Sequence, residues 1–226
     1  MREIVLDTET TGFEPSEGHR IAEIGCIELI DRLPTGRTYH KLVNPERDMP
    51  IEAFRVHGLS AELLALEKPF RDLYQEFLDF IQDSPLVIHN ARFDMKFLNA
   101  ELNMVGQETL SYGRAIDTLT MAKNKFPGSP YSLDALCKRF KIDNSKRQKH
   151  GALLDAELLA QVYLELTGGR QNNLLLDAET RENKPSTMVK TMNFSPRLKR
   201  NFTPNEAEQK NHVEFLQKVK NPIWLH

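Results

Sequence analysis

The sequence predicts an α/β domain with a mixed central sheet flanked by helices, followed by a flexible C-terminal tail. Three short β-rich segments stand together between residues 3 and 43, helical patterns then alternate with single short apolar runs, and beyond Gly169 the apolar patterning stops. Strands joined by tight turns pair antiparallel, whereas strands separated by helices return parallel, so one sheet is expected to contain both pairings.

Each element has its own signal. Glu3-Ile4-Val5-Leu6-Asp7 is an apolar run ending in polar residues, the first strand. Ala22 to Ile30 and Thr38 to Val43 are two more, joined by Asp31-Arg32-Leu33-Pro34-Thr35-Gly36, a hairpin-like turn. Phe70, Leu73, Tyr74, Phe77 and Ile81 recur as one face of an amphipathic helix. Leu86-Val87-Ile88 reads as a short buried strand, and Phe93, Phe97, Ala100 and Met104 mark the helix after it. Ala115-Ile116 is a further strand, and Thr118 to Phe126 and Ser132 to Phe140 are helical. The last helix of the domain runs from about Ala152 to Leu166 and stops at Gly168-Gly169, residues suited to a helix end.

The 226 residues, 40% of them hydrophobic, allow one domain of ordinary size plus an appendage. Residues 1–169 carry 20 Lys+Arg against 26 Asp+Glu, and residues 170–226 carry 10 against 6 with many Asn, Gln, Ser and Thr, as in a linker. The net charge of -2 lacks the bulk basic signature of nucleic-acid binding, although a site rich in carboxylates lowers the charge by itself. Cys26 and Cys137 stand alone, which excludes a disulfide or zinc framework and fits reduced core residues of a cytoplasmic protein. No apolar run approaches the ~18 residues of a membrane span, and the chain opens directly into a strand, so a soluble, untargeted protein is expected.

Three segments carry chemistry. In IVLDTETTG, Asp7 and Glu9 are two apart on an extended chain and therefore point to one side. Paired carboxylates repel unless a cation lies between them, and a hard divalent ion such as Mg²⁺ or Mn²⁺ takes oxygen donors. A lone DxE fits a solvated strand end equally well. In LVIHNARFD a strand leads through His89 and Asn90 into a helix with Asp94 in its first turn, where a carboxylate also meets the helix dipole favourably. In KHGALLDAELLA, His150 and Asp155 are five apart, ~140° around a helix, so for both to face one site His150 must sit on the preceding loop, with Gly151 easing the turn. An imidazole there suits proton transfer near neutral pH, and an exposed loop histidine is the alternative.

Together these segments resemble the three motifs of the DEDDh exonucleases, with Asp7 and Glu9 in the first, Asp94 in the second, and His150 and Asp155 in the third. The H-x4-D spacing is that of the histidine branch. The wider wording, including SLDALCKRFKIDNSKR and HGALLDAELLAQVYLELTGG, resembles the proofreading members that serve bacterial replicative polymerases, over about residues 1–169. The resemblance implies a ribonuclease H-like fold and removal of nucleotides from 3′ ends as 5′-monophosphates. It implies two divalent cations held by Asp7, Glu9, Asp94 and Asp155, with Asp7 shared between them and Asp94 acting mainly through water. It also implies His150 as general base for the attacking water. Two alternatives stay open, an RNA-trimming relative with the same chemistry and a non-catalytic polymerase scaffold.

The resemblance also implies that Glu52 and His57, in IEAFRVHG, contact the 3′-terminal nucleotide, with Phe54 nearby to pack on a base. Thr8 and Thr10 are candidate backbone donors to the same nucleotide. Asp117 precedes a helix and reads first as its N-cap. Lys138, Arg139, Lys141, Lys146, Arg147 and Lys149, opposed only by Asp143, are candidate phosphate contacts or a solvated flank.

In the tail, residues 170–203 read as a linker whose Gln171-Asn172-Asn173-Leu174-Leu175-Leu176 resembles a loose sliding-clamp-binding peptide. Thr203 as N-cap, Pro204 and Glu206 start a helix carrying Val213, Phe215, Leu216 and Val219 that Asn221-Pro222 can stop, ahead of Ile223-Trp224-Leu225. A short helix of this kind fits a partner-binding segment, and in the family the tail tethers the exonuclease to the polymerase catalytic subunit.

Overall fold

Strand β1 spans Arg2–Thr10, three residues beyond its apolar run, because its partner continues alongside it. In this computed structural model residues 1–145, 147, 149–169 and 203–218 are described. β2 (Ile21–Ile30) pairs antiparallel with β1, setting Asp7 opposite Gly25 and Glu9 opposite Glu23. β3 (Leu33–Leu42) pairs antiparallel with β2. β4 (Leu86–Ile88) lies parallel to β1, and β5 (Ala115–Asp117) parallel to β4, giving the order β3-β2-β1-β4-β5. The mixed sheet is the expected one.

One connection differs from its expected length. The turn between β2 and β3 has only Asp31 and Arg32, with φ of 49° and 68°, and the four residues after them extend β3. A two-residue turn with both residues left-handed follows the twist of the paired strands, which a longer loop would interrupt. Asp31 also takes the N-terminal ammonium, an ion pair unseen in a local pattern.

Helices cover both faces. α1 (Ile51–His57), α2 (Ala61–Leu64) and α3 (Phe70–Ile81) follow the three-stranded meander, and α4 (Ala91–Met104) follows β4. α5 (Thr118–Lys125), α6 (Leu133–Phe140) and α7 (Ala152–Leu166) complete the domain. Ile4 and Leu6 join α3 and α4 in one buried cluster, whereas Val5 joins α5, α6 and α7 in the other. Alternation along β1 thus turns Asp7 and Glu9, in step with Val5, toward α7, and Thr8 toward α4.

α7 crosses the sheet at very short range. A methyl group at Gly25 would lie 2.3 Å from the backbone of Ala152 and Leu153, so only glycine lets the helix start settle beside Asp7. Arg20, just ahead of β2, and Glu101 form a separate buried fork, with contacts of 2.7 and 2.7 Å, that ties the entry to β2 to α4.

Two compact units divide the chain, Met1–Leu175 and Leu176–His226. In the second, α8 spans Glu206–Lys218. Its cap is Asn205, not the expected Thr203: the Glu208 amide donates to the Asn205 side chain and the Asn205 amide to Glu208, both at 2.9 Å. This reciprocal box satisfies two end donors at once. Gln171–Leu176, the rest of the linker through 202, and residues 219–226 lie outside the described residues.

Candidate active site

Within the first unit, a cavity of about 920 Å³ opens at the carboxyl ends of β1 and β4. The chain reverses there from the antiparallel meander to parallel strands, the place where open α/β sheets leave a crevice. Asp7, Thr8, Glu9, Thr10, Glu52 and His57 line it, together with Asp94, His150 and Asp155. Nine side chains drawn from four parts of the sequence therefore meet in one space.

β1 supplies Asp7 and Glu9 from the same face of the strand. Asp94 comes from the first turn of α4, and its Oδ1 accepts from both the backbone N–H and the hydroxyl of Thr8, at 3.1 and 2.7 Å. Both donors of Thr8 are thus engaged by Asp94, and they hold that carboxylate in place. The Thr10 hydroxyl donates to the Gly12 carbonyl at 2.7 Å. Asp155 lies in the first turn of α7, where the N–H of Ala152 reaches Glu23 Oε2 at 3.1 Å. His150 precedes that turn on the loop, and its N–H donates to the Val56 carbonyl at 3.2 Å. The imidazole is therefore tied to α1 through its own backbone.

The cluster is electrostatically loaded. Burial raises the Asp7 carboxyl well above the usual range, and Asp94, Glu9 and Asp155 raise it further. Burial, then Asp155 and Glu23, push Glu9 up to about 8. Burial likewise takes Asp94 to about 7 against the opposing hydrogen bonds from Thr8. At Asp155 burial is outweighed by Arg147, whose guanidinium holds the carboxyl below its ordinary value. Ligand atoms of Glu9, His150 and Asp155 come within 4.8 Å of one another. Enclosed oxygen donors that resist ionisation together fit a hard divalent cation, which relieves the repulsion that burial sharpens.

A stability prediction follows from those directions. In the unfolded chain Glu9 and Asp94 ionise near their ordinary 4.5 and 3.8, but in the fold only near 8 and 7. Their contribution is full below the ordinary values and is lost as pH rises through the folded ones. The cation-free protein should therefore lose thermal stability between about pH 5 and pH 8, and saturating Mg²⁺ at the upper end should restore it. Thermal denaturation with and without chelator reads this; a chelated melting point that climbs over the interval would contradict it.

Around the cluster, His57 is buried and its Nδ1 accepts the Leu59 amide at 3.0 Å. Its proton therefore sits on Nε2, a buried donor that faces the Thr10 backbone without a hydrogen bond of ordinary geometry. Phe54 lies outside the cavity lining, its ring under the Lys149 ammonium at 5.1 Å. Asp117 caps α5 through the Leu119 amide at 3.0 Å and also accepts the Asn90 amide at 3.0 Å. It so fixes the left-handed Asn90, with φ of 66°, from which α4 and Asp94 start.

Of the basic run, only Arg147 lines the cavity; Arg139 instead lies over Phe126 at 4.4 Å, and Lys146 is outside the described residues. Sequence reasoning missed Phe13, 79% exposed at the cavity edge, and Glu23 under the start of α7. Phe13 had a signal, an aromatic residue directly after the TTG turn; Glu23 had none, since its partner lies 129 residues away.

A two-sided α/β sheet with four carboxylates and a histidine at its strand ends is the arrangement of a nuclease. A family model described as exonuclease matches residues 4–163. The DNA polymerase III subunit epsilon of Rickettsia felis is 50% identical over 222 residues, covering 97% of each chain. The subunit of the same name from Escherichia coli K12 is 41% identical, covering 96% of this chain and 94% of its own. The chain belongs to the exonuclease family and, within it, to the epsilon subunits of DNA polymerase III. Solved structures share the ribonuclease H-like fold. The nuclease domain of 3′hExo, a DEDDh family member bound to rAMP, superposes with a TM-score of 0.62 at 18% identity, covering 73% of this chain and 90% of that one. Exonuclease X in complex with 5′ overhanging duplex DNA gives 0.56 at 24% identity, with the same 73% and 90% coverage. Among the described residues no helix is long and apolar enough to cross a membrane.

Proposed function

We propose that the chain is the proofreading 3′→5′ exodeoxyribonuclease of a replicative DNA polymerase, hydrolysing the 3′-terminal phosphodiester and releasing 5′-mononucleotides. The observation that carries this reading is the gathering of Asp7, Glu9, Asp94, Asp155 and His150 in the cavity that Glu52 and His57 also line. Asp7, Glu9 and Asp155 would hold one divalent cation, Mg²⁺ or Mn²⁺, and Asp7 with Asp94 a second. Such a pair stabilises the attacking and leaving oxygens of an in-line displacement. His150 takes the proton from the attacking water, with a ring that is 48% exposed at the cavity. His57 Nε2–H donates to the terminal nucleotide, and Glu52 accepts from its 3′ hydroxyl. A mismatched end frays at least cost, so it enters a site that takes single strands ahead of a matched one.

Digestion of matched and mismatched 3′ primers, in DNA and in RNA, tests the reading. Mismatched DNA ends should be removed fastest, and an Asp7→Ala variant should remove none at a comparable rate. Faster trimming of RNA would move the assignment to the RNA-processing relatives.

The tail belongs to the same proposal. Val213 and Phe215 of α8 are 55% and 60% exposed, apolar groups suited to a partner. Residues 204–226 would bind the catalytic alpha subunit of polymerase III, and Gln171–Leu176 the sliding clamp, in the cytoplasm. Deleting 204–226 should abolish co-purification with the alpha subunit and leave nucleotide release from free DNA intact. Tight binding by the truncated chain would contradict it.

A further inference from the structure

Arg147 is the only lysine or arginine among the described residues that line the cavity. It reaches inward from the segment between α6 and α7, and its side chain is 8% exposed. Nε and Nη2 donate to the two oxygens of Asp155 at 2.6 and 2.7 Å, a fork that engages both oxygens of the carboxylate. Nη2 also lies 2.9 Å from His150 Nδ1, and Nη1 donates to Asp134 at 2.7 Å.

The chemistry of arginine decides the direction of the histidine contact. A guanidinium has donors and no acceptor, so His150 Nδ1 must accept and the ring carries its proton on Nε2. The basic lone pair is thereby covered. One side chain thus occupies both a carboxylate assigned to a cation and the nitrogen free to take a proton.

We propose that Arg147 is an internal latch that competes with divalent cations for Asp155, masks His150 Nδ1, and is displaced from both when divalent cations load the site. The proposal rests on the reading that Asp155 and its neighbours hold those cations. A buried carboxylate among three others needs a positive partner, and without a cation Arg147 supplies it. A divalent ion among the four carboxylates offers twice the charge and meets several at once, so it competes well for Asp155. Release does not require a helix to unpack, because Arg147 stands on a connecting segment, and Asp134, 56% exposed in the first turn of α6, remains as its anchor.

The buried Arg20–Glu101 fork makes the contrast. Glu101 also accepts the Ile21 amide at 3.2 Å, which stitches that pair into the backbone away from the cavity. Among the described residues Asp155 has only Arg147 on its oxygens at 2.7 Å or less, with His150 at 3.4 Å.

Mn²⁺ titration of the cation-free full-length chain without DNA, followed by electron paramagnetic resonance, tests the latch. Arg147→Gln should bind Mn²⁺ more tightly than wild type, on the order of tenfold, because no internal charge must be displaced. Arg147→Lys, which keeps the charge, should lie nearer wild type. The cation-free Arg147→Gln chain should melt below wild type, and saturating Mn²⁺ should bring the two together. In ¹⁵N spectra of the imidazoles, Mg²⁺ should shift His150 Nδ1 in wild type and much less in Arg147→Gln. Mn²⁺ affinity that is unchanged or weaker in folded Arg147→Gln would overturn the latch while leaving the cation site standing. An Asp155→Asn control separates the two ideas: if it binds Mn²⁺ as wild type does, the cation reading fails and the latch with it.

Discussion

The Asp7→Ala variant is expected to release nucleotides from a 3′ end at least ~10³-fold more slowly than wild type, a loss of about 4 kcal/mol of transition-state stabilisation. Asp7 is the carboxylate that the other three raise most directly, and it lies opposite Gly25 where α7 reaches β2. On the proposed two-cation reading Asp7 would be the shared ligand, so its loss would leave Glu9, Asp94 and Asp155 without the group between them. The cation-free variant should nonetheless melt no lower than wild type, because the substitution removes a crowded negative charge. Single-turnover hydrolysis of a labelled primer, alongside thermal denaturation in chelator, measures both. A folded variant within tenfold of the wild-type rate would remove Asp7 from the centre of the site.

For His150→Ala the expectation is a fall of roughly 10²- to 10⁴-fold in single-turnover rate, the range for a general base, with cation and DNA binding within a few-fold of wild type. The backbone argument makes the variant a clean one. The His150 N–H bond to Val56 and the Ala152 N–H bond to Glu23 do not involve the imidazole, so the loop and the α7 start should stay in place. The same ring lies within ligand distance of Glu9 and Asp155, which makes direct coordination the rival role. Mn²⁺ binding distinguishes them: a large loss of affinity in His150→Ala would make the histidine a ligand, and retained affinity with lost turnover would make it the base.

The loading of the site links these expectations to stability. Asp7, Glu9 and Asp94 are held above their ordinary range by burial and by one another, which opposes folding without a cation and favours its capture. Arg147 offsets part of that strain, by its hydrogen bonds at Asp155 and by its charge at Asp7 and Glu9 as well. Activity and cation-free stability should thus change in opposite directions when these carboxylates are neutralised.

Much of the fold was legible in local patterning. The 3.6-residue period of Phe70, Leu73, Phe77 and Ile81 marks a helix of those bounds because that stripe must be buried, and it is. Asp7 and Glu9 could be aimed together from strand alternation, and the loop position of His150 from helix geometry, because each argument spans only a few residues. The turn at Asp31-Arg32 and the Asn205 cap were misplaced for a related reason: several nearby residues can start a helix or close a hairpin, and the winner depends on which hydrogen bonds pair.

What the sequence determined by itself is the set of elements, the three chemical segments and the family they resemble, all of which are encoded at short range. The tertiary structure alone decided which groups touch. Thr8 spends its donors on Asp94 across 86 positions, Glu23 caps α7 across 129, and Asp117 holds the start of α4 from another strand. Arg147 is near His150 in the chain, yet its inward turn onto Asp155 also required packing. The run around it reads as a solvent-facing track for phosphates, and only the close approach of α7 at Gly25 shows a buried carboxylate that needs its charge. Such contacts depend on strand register and helix approach, which are set by the summed burial of the whole core and not by any one stretch of residues.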